Sequence, residues 1–286
     1  MAQTTKEISL PASVSTEILN QTANISVVQQ LAKRQDIAGQ GDVIRIATGG
    51  GEAYWVGEAE KKPTTEFGVK TKTVAPSKLV AMTFLSTELV EDDEAFYNYL
   101  KNELPAKLAL KFDQTVLNGV SNAKLPFDTL ADAEVPTIAL KAGKHYQASL
   151  DALSTLTNNG ANLNSFLLNS KSESNMLGEL DNNGRPLFID SVVNDNGFGK
   201  MIGRDAKFTN RLNDSTFAIA GDFSKARWGT TASDLVFKVA DQATIDNVSM
   251  FQTNQVALLV EQRIYFAYED PKHFVRITNP TTPTGK

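Results

Sequence analysis

Apolar positions change their spacing several times along the chain, and each change marks an element. From Phe96 to Val116 they recur every four residues (Phe96, Leu100, Leu104, Leu108, Phe112, Val116), with Lys101, Lys107 and Lys111 on other faces. That spacing predicts a helix through "DEAFYNYLKNELPAKLALKFDQTVLNG", capped by Asp92 or Asp93 and stopped at Gly119. Such a helix has about 25 residues and spans roughly 38 Å, with Pro105 bending it by removing one backbone bond. Upstream, "SVSTEILNQTANISVVQQLA" is only loosely periodic and reads as an arm leading into a short helix.

Strand patterning lies on either side of the long helix. "DVIRIAT" is a strand followed by a Gly49–Gly51 hinge, and "AYWVGE", "KKPT" and "EFGVKTKTVA" read as a long hairpin with Phe67, Val69, Thr71 and Thr73 on one face. Its returning arm, Glu66 to Ala75, can reach about 33 Å, too far for a two-stranded ribbon to be stable alone in water. Something must lie against it. "SKLVAMTFLS" alternates less cleanly and reads as a strand buried on both faces. In the middle, "AGKHYQASLDALSTLTNNG" and "KSESNMLGEL" read as helices, "NSFLLNS", "PLFID" and "STFAIAGD" as strands, and "DNNG" and "NDNGFG" as turns. The end, "DLVFKVADQ" and "NQVALLVEQRIYFAYEDPKHFVRIT", returns to strand patterning before a flexible "NPTTPTGK" tail.

The composition of the 286 residues narrows the function. With 41% hydrophobic residues the chain can bury a real core, and no apolar run approaches the roughly 20 residues of a membrane helix, so no membrane partner is expected. The start "MAQTTKEISLP" has no basic segment followed by a long apolar run, so a cytoplasmic product is expected. There are no cysteines, hence no disulfides, thiolate metal sites or cysteine nucleophiles. A formal charge of -5 argues against a broad electrostatic grip on nucleic acid.

Candidate chemistry is thin. His145 and His273 are far apart and read as surface or half-buried side chains, so no metal site is expected. "DNNGRP" and "NDNGFG" lack the oxygen-ligand spacing of calcium loops, and "GFGKMIG" lacks the strand and distal acid of a dinucleotide site. Glu91, Asp92 and Asp93 suit a helix N-terminus better than acid–base work. No enzyme activity and no cofactor are expected.

The order of parts nevertheless resembles a known family. Trp55, Val56 and Glu58 in the hairpin, and Lys78, Leu79, Ser86, Glu88, Leu89 and Asp92 from strand to helix, match the first half of its pattern. Asp113, Leu117, Asn118 and Gly119 match the end of the long helix, and Asn254, Ala257, Glu261, Arg263, Pro271 and Phe274 the terminal segment. In this order they are similar to the tailed-bacteriophage major capsid proteins of the Hong Kong 97 type. The resemblance implies an α+β capsid fold with an N-terminal arm (1–24), a peripheral domain holding a spine helix (25–50, 76–127 and 236–286), an extended loop (51–75) and an axial domain (128–235).

It implies a function too: hexamers and pentamers closing into an icosahedral shell around double-stranded DNA held without specific contacts. A portal would be a partner and, since the arm starts almost at Met1, either a separate scaffold protein serves or assembly needs none, with assembly in the host cytoplasm. The extended loop would lie across a neighbouring copy, with Trp55, Glu58, Lys61, Lys62 and Phe67 making the contacts. Some members of the family weld their shells with an isopeptide bond, and laid on this sequence the lysine, asparagine and assisting glutamate fall on Lys62, Asn254 and Glu261. The plain alternative is a solvated lysine, a turn asparagine and a glutamate paired to a cation such as Arg263. Two other functions stay open: an encapsulin-type nanocompartment shell, distinguished by a cargo-peptide site, and an unrecognised enzyme or small-ligand protein, distinguished by a discrete monomer with turnover.

Overall fold

The computed structural model describes residues 12–37, 41–47, 53–58, 60–64, 68–88, 93–120, 125–141, 143–181, 183–185, 187–188, 198–231, 235–241, 243–245 and 248–280. The arm helix α1 (Ala12–Ile25) breaks at Ser26, which caps α2 (Val27–Leu31) by accepting from the Gln29 amide at 3.1 Å. α1 lies along the long helix α3 (Asp93–Asn118). Leu100, Leu104, Leu108, Phe112 and Val116 of α3 are all buried, as their four-residue spacing requires. α3 runs through Pro105 and ends at Gly119, whose φ of 70° is left-handed and therefore suits glycine.

Two sheets complete the body. The first has the order β1 (Lys33–Arg34), β10 (Ala226–Thr230), β14 (Gln255–Tyr268), β11 (Val236–Ala240), with β4 (Ser77–Ser86) also paired to β14. β14 is its organising strand, antiparallel to all three partners; Gln255 faces Ser86 and Ile264 faces Ser77 across the ladder with β4. The second sheet has the order β5 (Thr137–Ala139), β15 (Phe274–Thr278), β9 (Thr216–Gly221), β6 (Ser165–Asn169), β8 (Arg204–Thr209), β7 (Phe198–Met201). Helix α4 (His145–Asn158) packs on it through Ala148, Ala152 and Leu156, and α5 (Glu173–Leu177) adds the buried Met176. A small hairpin, β12 (Thr244–Ile245) and β13 (Val248–Ser249), precedes β14.

A shared core joins these layers. Phe112 and Val116 of α3, Trp228 and Phe266 of the first sheet, and Leu167, Ile219 and Phe274 of the second form one buried cluster. The two sheets do not divide where the chain was expected to pass from axial to peripheral domain, between 235 and 236. β10, before that point, belongs to the β14 sheet, and β15, after it, belongs to the β9 sheet.

Three local expectations change. The ribbon is made by β2 (Asp42–Ala47) and β3 (Val69–Val74), whereas Ala53 to Gly57 pairs with no strand among the described residues. Val69, Thr71 and Thr73 share one face of it as expected, the exposed one, while its buried face carries Ile44, Ile46 and Val74. β4 is buried on one face only: the face bearing Leu85 meets α3, and Val80, Met82 and Phe84 are exposed. Finally, Phe198–Met201, read from its glycines as turn-like, is a strand, because Ile202 and Gly203, both at positive φ, form a two-residue hairpin turn into β8. "PLFID" and Phe67 fall wholly or mostly outside the described residues.

Candidate assembly surfaces

The ribbon is anchored firmly at its root. Ile44, Ile46 and Val74 pack on Ile37, Tyr265 and Ala267. Lys72 Nζ lies 2.5 Å from Asp128 Oδ2, donates to the Tyr268 carbonyl at 3.0 Å, and sits 4.3 Å from the centre of the Tyr268 ring. Burial pushes the Asp128 carboxyl up, against the hydrogen bond and charge of Lys72 that pull it down. The Tyr268 amide donates to the same Oδ2 at 3.0 Å. The ribbon's base is thus tied to the end of β14 and to the segment that leads into the second sheet.

The far end of the loop is open. Trp55 is fully exposed at 104% of its reference area, Tyr54 and Val56 are exposed, and Glu58, Lys61 and Lys62 all face solvent. A local turn shapes the loop: the Gly57 amide donates to Glu60 Oε2 at 3.1 Å, and the Glu60 amide donates to the Gly57 carbonyl at 3.3 Å. Lys62 and Pro63 line a shallow hollow with Tyr54, Trp55 and Val56. A tryptophan wholly in water forfeits the burial that normally accounts for its presence.

Asn254 and Glu261 are not brought together within one chain. Asn254 lies in the turn before β14 with φ 52°, its carbonyl accepting from the Thr87 amide at 3.2 Å and the Thr87 hydroxyl at 3.1 Å. Glu261 is half-buried in β14 and pairs with Lys78 at 3.8 Å. Seven residues along an extended chain put Asn254 and Glu261 about 23 Å apart. A glutamate serving Asn254 would therefore have to come from another copy.

The sequence reading missed the strongest polar cluster. Asp113, fully buried on α3, accepts from Ser26 Oγ at 2.5 Å, from the Val27 amide at 2.8 Å, from the Val28 amide at 3.3 Å and from the Arg211 guanidinium. Arg211 also donates to the Ile25 carbonyl at 3.1 Å. Burial pushes the Asp113 carboxyl up, while Ser26 and Arg211 pull it down. Burial lowers Lys207 of β8 to about 8, against the attraction of the Asp113 charge. The signal was present in the sequence: Asp113 lies four residues from both Ala109 and Leu117, an acid inside a buried stripe. His145, expected at or near the surface, is buried, because the Glu179 carboxylate accepts from its backbone amide at 2.9 Å and meets its Nδ1 at 3.2 Å.

Among the described residues, no group of three His, Cys, Asp or Glu side chains could hold a metal ion, and no helix is long and apolar enough to cross a membrane. What the surface offers is contact area: an aromatic loop tip, an open sheet face on β4, and Phe251, 80% exposed on the turn that contains Asn254.

Comparison with known proteins agrees with that character. The model of the phage capsid family matches residues 7–279. The chain belongs to the phage capsid family. Among family relatives it is similar to the probable major capsid protein gp17 of Mycobacterium phage L5, 30% identical over 279 residues, covering 89% of this chain and 84% of that protein. The probable major capsid protein gp17 of Mycobacterium phage D29 is 29% identical over 280 residues, covering 91% and 87%. A solved structure from Gordonia phage Cozz superposes with a TM-score of 0.71 at 22% identity, covering 90% of this chain and 87% of that one. The capsid of an empty GTA particle does so with a TM-score of 0.66 at 16% identity, covering 98% and 95%. At these identities the two structures speak to the fold, a mixed α+β capsid architecture.

Proposed function

We propose that this chain is a major capsid protein, many copies of which build the shell of a tailed phage. The observation that supports this best is the length of the family match, residues 7–279, which takes in the arm, the loop, both sheets and the long helix together. The open loop tip is what a shell subunit needs, since a partner copy supplies the surface that Trp55 lacks. In this reading the fold is of the Hong Kong 97 type. The arm is 1–24, the extended loop 51–75, the peripheral part is built around α3 and β14, and the axial part around β9 and α4, with β10 and β15 exchanged between the two sheets.

Copies assemble as hexamers and pentamers into an icosahedral shell in the host cytoplasm, with a separate scaffold and a portal as partners. Double-stranded DNA is held by confinement, in keeping with the charge of -5 and the lack of any basic block in the sequence. Trp55, Glu58, Lys61, Lys62 and Phe67 are the loop's contacts with its neighbour. The test is electron microscopy and sedimentation of the chain expressed alone and together with its neighbouring genes. Closed particles are expected in at least one case. A discrete 31.1 kDa monomer in both would contradict the reading.

A further inference from the structure

The sequence holds four Asn-Gly steps, 118–119, 159–160, 183–184 and 196–197, the last of which lies outside the described residues. Such a step can modify itself. The glycine amide nitrogen, having given its proton to hydroxide, attacks the side-chain amide carbon of the asparagine; a succinimide ring closes, and ammonia leaves with a proton from water. Water then opens the ring at either carbonyl, giving aspartate or isoaspartate, the second with its main chain running through the former side chain. The sum is asparagine plus water to acid plus ammonia. Glycine favours ring closure because no Cβ obstructs the approach. Folding decides where it happens, since the asparagine side chain must be free to turn back on the main chain and the glycine amide free to lose its proton.

At Asn118 both conditions fail. Nδ2 donates to the Gln114 carbonyl at 3.1 Å and to the Arg211 carbonyl at 2.7 Å, and Oδ1 accepts from the Asn213 amide at 2.9 Å. The Gly119 amide is itself bonded to the Thr115 carbonyl at 2.9 Å. Asn159, at the end of α4, is held less: Nδ2 reaches the Lys272 carbonyl only at 3.5 Å, while the Gly160 amide donates to the Thr157 carbonyl at 3.0 Å. Asn183 is held least. Its own amide donates to Asp181 Oδ1 at 2.8 Å, but its side chain is exposed and makes no hydrogen bond among the described residues. Gly184, at φ 77°, is exposed as well, has open space where a Cβ would stand, and gives its amide to the Asp181 carbonyl in a single turn bond of 3.1 Å.

We propose that Asn183–Gly184 is a self-modifying site, which converts to aspartate and isoaspartate in the folded chain while Asn118–Gly119 stays intact. The turn around it is organised by Asp181, whose amide donates to the Arg185 carbonyl at 2.8 Å and whose Oδ1 accepts from the Arg185 amide at 2.8 Å. Conversion places a second carboxylate two residues from Asp181, and isoaspartate also lengthens the main chain inside the turn. The returning chain leads to Leu187, whose amide donates to the Glu179 carbonyl at 2.9 Å. The Glu179 side chain in turn caps α4 through the amides of His145 and Tyr146. A change at the turn thus bears on the residue that starts a helix of the second sheet's cover. One folded chain suffices for it, so it does not depend on the shell reading.

The experiment ages the purified full chain at neutral and at mildly alkaline pH and maps its peptides by mass spectrometry. An isoaspartate-specific methyltransferase with a labelled methyl donor gives a second readout. In the folded chain the Asn183 peptide is expected to gain the mass of Asn-to-Asp conversion, and to do so faster at the higher pH. Its rate should exceed that of the Asn118 peptide by about tenfold or more, because the Asn118 side chain must first give up three hydrogen bonds. In urea the two rates should converge. Asn183→Gln should abolish both signals from its peptide and leave the Asn118 peptide unchanged. Equal rates at the two asparagines in the folded chain, or an Asn183 that converts in urea and stays intact when folded, would overturn the proposal.

Discussion

Asp113 and Arg211 form a buried ion pair that joins the long helix to the turn after β8, with only 12% of the Arg211 side chain and none of the Asp113 side chain exposed. Because Asp113 also receives Ser26 and the first amides of α2, one carboxylate holds the arm, the long helix and the second sheet together. Removing one member of such a pair leaves the other charge buried without its partner. Asp113→Ala should therefore cost about 3–5 kcal/mol of subunit stability, read as a lower urea midpoint with an unchanged slope. Asp113→Asn, which keeps an acceptor oxygen, should cost less.

Lys207 makes stability rise with pH in a mildly alkaline window. Its folded pKa, about 8, lies below its ordinary value of 10.5, so between the two the unfolded chain holds more protons than the folded one. Stability therefore increases as pH rises from about 8 toward 9.5. Above that the trend reverses: burial pushes Tyr265 up to about 12 and raises Tyr268 as well, so unfolded tyrosines ionise first and favour unfolding. Urea midpoints measured across this range should show the rise in the wild type and lose it in Lys207→Met.

Trp55→Ala should leave the subunit's melting curve within about 0.5 kcal/mol of wild type, since the side chain is wholly exposed. Assembly, followed by sedimentation, should fall sharply. A large loss of subunit stability with normal assembly would contradict the role given to the loop.

Gly229→Ala should destabilise the first sheet by roughly 3 kcal/mol or more, seen in chemical denaturation. A Cβ there would come within 1.9 Å of the Gln35 carbonyl oxygen and 2.9 Å of the Tyr265 ring. Neither can easily retreat, because the Tyr265 hydroxyl donates to that same carbonyl at 2.6 Å.

For the isopeptide bond, the expected result is a single band near 31.1 kDa after boiling assembled particles in detergent. Lys62 faces solvent, and Glu261 is engaged by Lys78 and lies far along β14 from Asn254. A ladder of covalent oligomers that vanishes in Lys62→Ala would establish the bond and require residues from several copies.

The legible parts of the sequence were those where one element decides its own pattern. The spacing from Leu100 to Val116 gave the buried stripe of α3, and "NQVALLVEQRIYFAY" carries the strand patterning that β14 follows. Partner-dependent features were harder to read. β4 and a doubly buried strand have the same apolar content, and only the cover on its second face distinguishes them. Likewise Val43 and Ile44 alternate in β2 as they would in many strands, but β2's pairing with β3 twenty-odd residues later depends on register. Asp113 looked like part of a motif at a helix end because its partners, Ser26 and Arg211, are 87 and 98 residues away. The loop contacts rest on resemblance, and what the isolated chain shows of Trp55, Glu58, Lys61 and Lys62 is exposure.

The central place of β14 also sets the timing of synthesis. β4 emerges from the ribosome early, but its strand neighbour spans Gln255–Ile264, near the end of the chain. β10 and β11 wait for the same strand, and β9 waits for β15, which comes later still. Pairings this distant in sequence are slow to form. A nascent chain thus presents the loop long before its first sheet is complete. A chain stopped before Gln255 would carry β4 and β11 without the strand that pairs with both.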